Sequence, residues 1–197
     1  MPRGGIMQKK QNSDVEFKSL LTEEEYNLLI DAFPNSKTDT QTNHYFDTPR
    51  FSLKALDASL RVRERNDYSL TYKRKKGYSI DVNTVEITKE DFEKIKETGV
   101  VHIESIANDL ANVIKDQKVY NFLSLSTFRT YLPYKEGVLN IDRSSYCGVI
   151  DYEVEYSSKS YHQGREIFIN FINEYGIKYK KSDKKIKRAF TAYRNEL

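Results

Sequence analysis

Apolar and polar residues alternate with a period of two along much of this chain, the pattern of β-strands that bury one face. Over Ser13–Ser19 the alternation sets Val15 and Phe17 against Asp14, Glu16 and Lys18. Asp151–Tyr156 repeats it, with Glu153 and Glu155 opposite Tyr152, Val154 and Tyr156. Between these two acidic segments the charge reverses. Ala58–Asn66 sets Leu60 and Val62 against Arg61, Arg63 and Arg65, and after the Asn66–Asp67 turn pair Tyr68–Lys75 sets Leu70 and Tyr72 against Thr71, Lys73 and Lys75. Further strands are predicted from Lys37 to a stop at Pro49, from Gly77 to Ile87, over Val119–Tyr134 with Arg129, over Gly137–Arg143 with Asp142, and over Gly148–Ser158.

Helical periodicity fills the remaining segments. Thr22-Glu-Glu-Glu25 is a capping box opening a helix whose stripe is Tyr26, Leu29, Ile30 and Phe33 and which ends before Pro34. Phe51–Asp57 reads as a short helical turn. Thr88-Lys-Glu-Asp91 starts a second helix that Gly99 ends, although its fourth residue is Asp where a capping box has Glu or Gln. Helices follow over Ile103–Lys115 and Ser160–Tyr175, the latter stopped by Gly176. A last one carries Ile186, Ala189, Phe190 and Tyr193, with Ser182 or Asp183 as its predicted cap. About eight antiparallel strands interrupted by helices make an α+β chain.

At 197 residues this is one domain, predicted over 13–197, with 1–12 as a disordered leader in which Met7 is an alternative start. Charged residues make up 31% of the chain with a net charge of only +3, so a strongly basic nucleic-acid surface is not expected. The basic Lys178–Arg188 stretch and the many tyrosines do not change that, because aromatics on strands pack against helices. The single cysteine, Cys147, allows no internal disulfide, has no nearby partner for nucleophilic chemistry, and fits a reducing compartment. With no apolar run of membrane-spanning length and no secretory signal, a cytoplasmic protein without a membrane partner is expected.

The charged strand faces admit two readings. An open antiparallel sheet has a polar face simply because water lies against it. Against this, the signs are segregated by strand, acids on the first and last and bases on the middle ones. The apolar faces suffice to pack the helices, and about eight strands can close a barrel. If the sheet closes with its helices outside, the charges point inward. They must then pair across a wet interior or be met by a charged ligand, because an unpartnered buried ion costs several kcal/mol. Two carboxylate pairs facing rows of Arg and Lys suit a hard cation together with a polyphosphate.

Asp14-x-Glu16-x-Lys18, His44-Tyr-Phe-Asp-Thr48, Leu60-Arg-x-Arg63, Leu70-Thr-x-Lys73, Glu86, Arg129, Asp142, Glu153-x-Glu155 and Lys185-x-x-Arg188 stand in the order found in CYTH domains. The chain thus resembles the triphosphate tunnel metalloenzymes, most of all the bacterial CYTH proteins of Gram-positive organisms, over Ser13–Tyr193. That family includes thiamine triphosphatases, inorganic triphosphatases and class IV adenylate cyclases. The resemblance implies a closed β-barrel tunnel with helices outside. It implies Mg²⁺ or Mn²⁺ on Asp14, Glu16, Asp142, Glu153 and Glu155, and phosphate binding by Lys18, Arg61, Arg63, Lys73, Arg129, Lys185 and Arg188. Lys73 and Glu155 would be catalytic. Where the family motif opens with Glu this chain has Asp14, which keeps the charge and shortens the reach. His44 is expected to be structural, and His102 and His162 to lie at the surface. The implied activity is metal-dependent hydrolysis of an inorganic, nucleoside or organic triphosphate. The alternatives are an adenylate cyclase, for which no base-reading residues stand out, and a non-catalytic polyphosphate-binding module.

Overall fold

The computed structural model describes residues 14–196; the predicted leader, including Met7, lies outside the described residues, as do Ser13 and Leu197. Fourteen elements follow in chain order: β1 (Val15–Leu21), α1 (Glu23–Ala32), β2 (Lys37–Asp47), α2 (Ser52–Ala55), β3 (Ala58–Glu64), β4 (Tyr68–Lys76), β5 (Ser79–Ile87), α3 (Lys89–Thr98), α4 (Glu104–Ile114), β6 (Tyr120–Tyr134), β7 (Gly137–Tyr146), β8 (Val149–Ser158), α5 (Tyr161–Glu174) and α6 (Lys185–Glu196). The predicted strand at Gly137 runs three residues past Arg143, because Ser144, Ser145 and Tyr146 continue its pairing with β8.

Local chemistry sets the helix ends. Thr22 accepts from the Glu25 N–H while the Glu25 carboxylate accepts from the Thr22 N–H. Thr88 and Asp91 close the same reciprocal box, so the shorter acid serves as well here. Gly99 ends α3 in the left-handed region at φ 70°, where glycine carries no Cβ penalty. α6 departs from expectation. It starts at Lys185, and the Lys184 carbonyl accepts from the Lys187 and Arg188 N–H groups. Ser182 is thereby released from capping, and its hydroxyl donates to Glu153 instead.

All eight strands form one antiparallel sheet in the order β1-β8-β7-β6-β2-β3-β4-β5. The hydrogen-bonded ladder therefore ends at β1 and at β5, and these two strands do not pair among the described residues. Ile80 and Val82 of β5 stay exposed at that end. The predicted eight antiparallel strands with packed helices are present; backbone closure between the end strands is not part of this ladder.

Directly opposed residues share a face, so the register can be read across the whole sheet. One face is apolar and carries two cores. Leu60, Val62, Leu70 and Tyr72 pack against Phe92 and Ile95 of α3 and Ile106 and Leu110 of α4. Leu139, Ile141, Val154 and Tyr156 pack against Leu29 of α1 and Phe168 and Phe171 of α5. Each fully buried side chain of this size is worth about 2 kcal/mol, so these helices are held on the apolar side. α5 approaches closely because it has Gly164 there; a Cβ at that position would lie 2.6 Å from the Ser158 Cβ and 2.8 Å from the Phe17 ring.

The other face is mostly polar, broken by Leu20 at the β1 end, by Ile80 and Val82 at the β5 end and by the strip that α6 covers. There Ala189 is buried with Leu123, Leu125 and Tyr146, flanked by Ile186 and Tyr193. No helix among the described residues is long and apolar enough to cross a membrane.

Candidate functional site

Register assembles the polar face. Lys18 of β1 is opposite Glu155 of β8, and Leu20 is opposite Glu153. Asn140 and Asp142 of β7 are opposite Glu155 and Glu153. Asp142 is opposite Arg129 of β6, and Arg129 is opposite Asp39 of β2. Farther along, Asn43 and Tyr45 are opposite Arg63 and Arg61 of β3. Arg61 then faces Thr71 and Ser59 faces Lys73 on β4. One continuous surface thus leads from carboxylates on β8 and β7, through Arg129, to cations on β3 and β4.

At the acidic end Asp142, Glu153 and Glu155 each offer an oxygen, all within 4.8 Å of one another. Asp142 and Glu153 are 0% exposed and Glu155 8%, so water cannot neutralise them and protein cations must. Arg129 forks onto Asp142 with Nε to Oδ1 at 2.7 Å and Nη2 to Oδ2 at 2.6 Å, and Nη2 reaches Glu155 at 2.9 Å. From α6, Lys185 Nζ donates to Asp142 Oδ2 at 2.6 Å and to Glu153, and lies 3.5 Å from Glu155 Oε1. Arg188 Nη2 donates to Glu153 Oε2 at 2.6 Å while its Nε donates to Asp151 at 2.8 Å. Lys18 Nζ lies 3.6 Å from Glu155.

Burial pushes the Glu155 carboxyl up; the Lys185 charge opposes this, the neighbouring Glu153 adds to it, and the group reaches about 7. For Glu153 burial works in the same direction, but the hydrogen bond with Glu155 and the Lys185 and Arg188 charges outweigh it and hold the group at about 2. Burial and mutual repulsion thus make the pair as a whole hold its last proton more tightly than two separate carboxyls would. Burial would lower Lys185, yet the three facing carboxylates raise it above the ordinary lysine range.

The basic end is arranged oppositely. Arg65 pairs with Asp39, but Arg61, Arg63 and Lys73 have no carboxylate partner among the described residues. Arg63 Nε donates to Asn43 Oδ1 at 3.3 Å, and the buried Arg61 Nε has no hydrogen-bond partner. Burial, then the charge of Arg61, lowers Arg63; burial, then Arg61 and Arg63, lowers Lys73. Like charges are held together with no ion-paired carboxylate among the described residues, although Glu86 of β5 shares their face across Ser69 from Arg63.

Of the residues singled out in the sequence, Asp142, Glu153, Glu155, Lys18, Arg129, Lys185 and Arg188 are brought together. Arg61, Arg63 and Lys73 gather on the adjoining surface. Asp14 and Glu16 lie exposed at the outer end of β1, outside the buried acidic group, with Glu16 opposite Ser157. Lys185 and Arg188, expected on phosphate, here contact carboxylates. His44 lies on the apolar side against Phe92, bonded to Ser124 and Glu64, and His102 pairs with Asp91. Sequence reading passed over three contributors. Asp151 shares the Glu153 face by simple alternation and was legible. Asn43 and Ser182 were not, because each depends on register or on where a helix starts.

Four known proteins or families resemble this chain. The sequence model of the CYTH domain matches residues 12–190. A Bacillus subtilis (strain 168) protein named as a candidate triphosphatase, YjbK, is 30% identical over 192 residues, covering 95% of this chain and 99% of its own. The crystal structure of a candidate adenylate cyclase from Bacillus halodurans is 26% identical with a TM-score of 0.73, covering 90% of this chain and 97% of that one. A candidate adenylyl cyclase from Hippeastrum, described as having a dominant triphosphatase activity, shares the fold at a TM-score of 0.74 and 21% identity over 93% of this chain and 96% of that one.

Proposed function

Since this chain belongs to the CYTH domain family, we propose that it is a divalent-metal-dependent triphosphatase that draws its substrate's phosphates along the polar face of the sheet. The carrying observation is the separation of charge on that face: buried carboxylates already matched by cations at one end, and Arg61, Arg63 and Lys73 unmatched at the other. A polyanion supplies what the second end lacks.

Curling of the polar face into a tunnel is supported by α6. Lys185 is bonded to carboxylates of β7 and β8, while its neighbour Lys184 lies close enough to Lys73 of β4 to lower its pKa. Adjacent residues at one helix start thus reach strands four and five places apart in the sheet. A flat sheet would hold those strands about 19–24 Å apart.

Asp142, Glu153 and Glu155 offer only carboxylate oxygens, which fits Mg²⁺ or Mn²⁺ and not a soft metal. When bound, the ion neutralises phosphate charge and polarises the phosphoryl oxygens. Arg61 and Arg63 grip phosphate oxygens with planar forks, and Arg129 and Lys18 bridge toward the carboxylates. Lys185 and Arg188 hold the carboxylates in register and can turn to phosphate once their negative partners are otherwise neutralised. Asp14 and Glu16 sit where they can add outer carboxylates. Lys73, exposed on the polar face with its pKa lowered by desolvation beside Arg61 and Arg63, orients the attacking water, whose proton passes to the surrounding solvent. The water oxygen bonds to the terminal phosphorus, the bridging P–O bond breaks, and its electron pair leaves on the diphosphate. Positioning and charge neutralisation supply most of the rate in such transfers. The reading places the protein in the cytoplasm, where such substrates and Mg²⁺ are abundant.

The test is a panel of inorganic triphosphate, thiamine triphosphate, ATP and GTP with Mg²⁺, Mn²⁺ or chelator, measuring both orthophosphate and cyclic nucleotide. Orthophosphate released only with metal, and lost in a folded Glu155→Gln variant, is expected. Full activity in that variant removes the metal assignment. Cyclic AMP from ATP would make the protein a cyclase, and tight binding without turnover a sensing module.

A further inference from the structure

Beside the basic end of the polar face, between the β2–β3 edge and α6, lies a cavity of about 580 Å³. That is the size of a site for one small organic molecule. Phe122, Ile186 and Phe190 give it apolar walls. Two further lining residues tie it to the phosphate surface: Tyr45 is the cross-strand neighbour of Arg61, and Ser59 that of Lys73. A molecule whose phosphates meet Arg61 and Lys73 therefore has this cavity one residue step away. Inorganic triphosphate would leave it unused.

The charge around the opening narrows the occupant. Lys54, Lys184, Lys187 and Arg194 all line it. Lys187 is shared with Asp183 at 3.1 Å. The one acid in the wall, Asp47, has its oxygens engaged by the Thr48, Leu53 and Lys54 N–H groups at 2.7, 2.9 and 3.0 Å. Lys54 Nζ lies 3.1 Å above the centre of the Phe190 ring, so the cations here already seek π faces. A positively charged head group would be repelled; a flat, uncharged aromatic one offers these cations a further π surface and the walls an apolar body.

We infer that this cavity holds the uncharged base of a nucleoside triphosphate, which makes nucleoside triphosphates the substrate class and disfavours both inorganic triphosphate and the cationic thiamine triphosphate. The inference rests on the triphosphatase reading for its phosphate placement. The base enters beside Phe190 and Phe122, with the triphosphate directed along Arg61 and Lys73. Binding energy gained in the cavity positions the phosphates and discriminates between head groups.

Thr191 is an exposed α6 residue that lines the cavity, so a bulky side chain there fills the space without disturbing the core. For Thr191→Trp the ratio of KM for ATP to KM for inorganic triphosphate should rise about tenfold or more, and Thr191→Val should leave the ratio near wild type. Wild type should favour ATP over thiamine triphosphate by kcat/KM. A ratio unchanged in Thr191→Trp, or a wild type that turns over only inorganic or thiamine triphosphate, overturns the cavity assignment and leaves the triphosphatase reading intact. If no substrate yields phosphate, that reading fails by itself. Calorimetric binding of the β,γ-methylene analogue of ATP to wild type and Thr191→Trp then decides the cavity: weaker binding in the variant supports it, and equal binding or none to either refutes it.

Discussion

The two ends of the polar face use the same chemistry to opposite effect. At the acidic end Asp142, Asp151, Glu153 and Glu155 meet Lys18, Arg129, Lys185 and Arg188, so the protein matches its own charges in kind. At the basic end Arg61, Arg63 and Lys73 crowd one another with no carboxylate in ion-pair contact among the described residues, the exposed Glu86 lying one strand beyond, across Ser69 from Arg63. The first arrangement is self-sufficient and can be spared for stability. The second costs free energy unless an anion arrives, and a fold that tolerates such a cost does so where ligands bind. The difference separates residues that hold the site from residues that await the substrate, and mutation can force the two groups apart.

The largest separation is expected at Arg61. Arg61→Gln should lower kcat/KM for a triphosphate by about 10²–10³, the usual loss when a preorganised phosphate or oxyanion partner is removed. Its melting temperature should stay level or rise, because a like charge and an orphaned buried Nε are removed together. A melting temperature several degrees lower would mean that Arg61 is structural, and the contrast between the ends would collapse.

Lys185 should answer in the reverse sense. Lys185→Met leaves Asp142 and Glu153 short of a buried cation and should cost about 3 kcal/mol in chelator. For a chain of this length that is a fall of roughly 6–12 °C in melting temperature. Mn²⁺ should restore more of that loss than it adds to wild type, since the ion takes over the missing charge. A variant as stable as wild type in chelator would show that the ion pairs at this end carry no structural load.

A third contrast is in pH. The Glu155 carboxyl is raised from its usual 4.5 to about 7 by burial and by Glu153, and a metal ion requires it deprotonated. Below about pH 7 the ion must displace a proton, so apparent Mn²⁺ affinity should climb about tenfold per pH unit from pH 5.5 and level off above 7. Calorimetry in buffers of different ionisation enthalpy would read the released proton directly. Affinity that is flat between pH 5.5 and 8 would place the ion elsewhere.

Much of this was legible before any coordinates. Alternation assigned Glu153, Glu155, Arg61, Arg63 and Lys73 to one kind of face, because period two is a local property of a strand. What alternation could not give was which faces meet. The Arg129–Asp142 fork and the Lys18–Glu155 contact follow from register, which is fixed by pairing between strands far apart in sequence. The roles of Lys185 and Arg188 were open for the same reason: their strand partners lie about 30–45 residues upstream, and α6 starts later than its Ser and Asp suggested. The basic cavity went unforeseen, since Phe190 and Ile186 read simply as a helix's apolar stripe. Asp91 was undervalued by a statistical preference for Glu that its geometry does not need.

The smallest effect tests whether the contrast belongs to the polar face alone. α1 covers the core behind the acidic end and α3 the core behind the basic end, and each begins at a reciprocal box, Thr22 with Glu25 and Thr88 with Asp91. Thr22→Ala and Thr88→Ala each leave N-terminal N–H groups without their side-chain acceptor and should cost about 1 kcal/mol. That corresponds to roughly 2–4 °C. Because Asp91 is also held by His102 at 2.7 Å, part of the second box survives without Thr88, and its loss should be the milder one. Neither threonine touches the charged surface, so kcat/KM for a triphosphate should stay within about twofold of wild type at temperatures where the variants are folded. A larger drop in activity from Thr88→Ala would mean that α3 tunes the placement of Arg61 and Lys73 through the β3–β4 core, and the basic end would then be a property of its scaffold as much as of its charges.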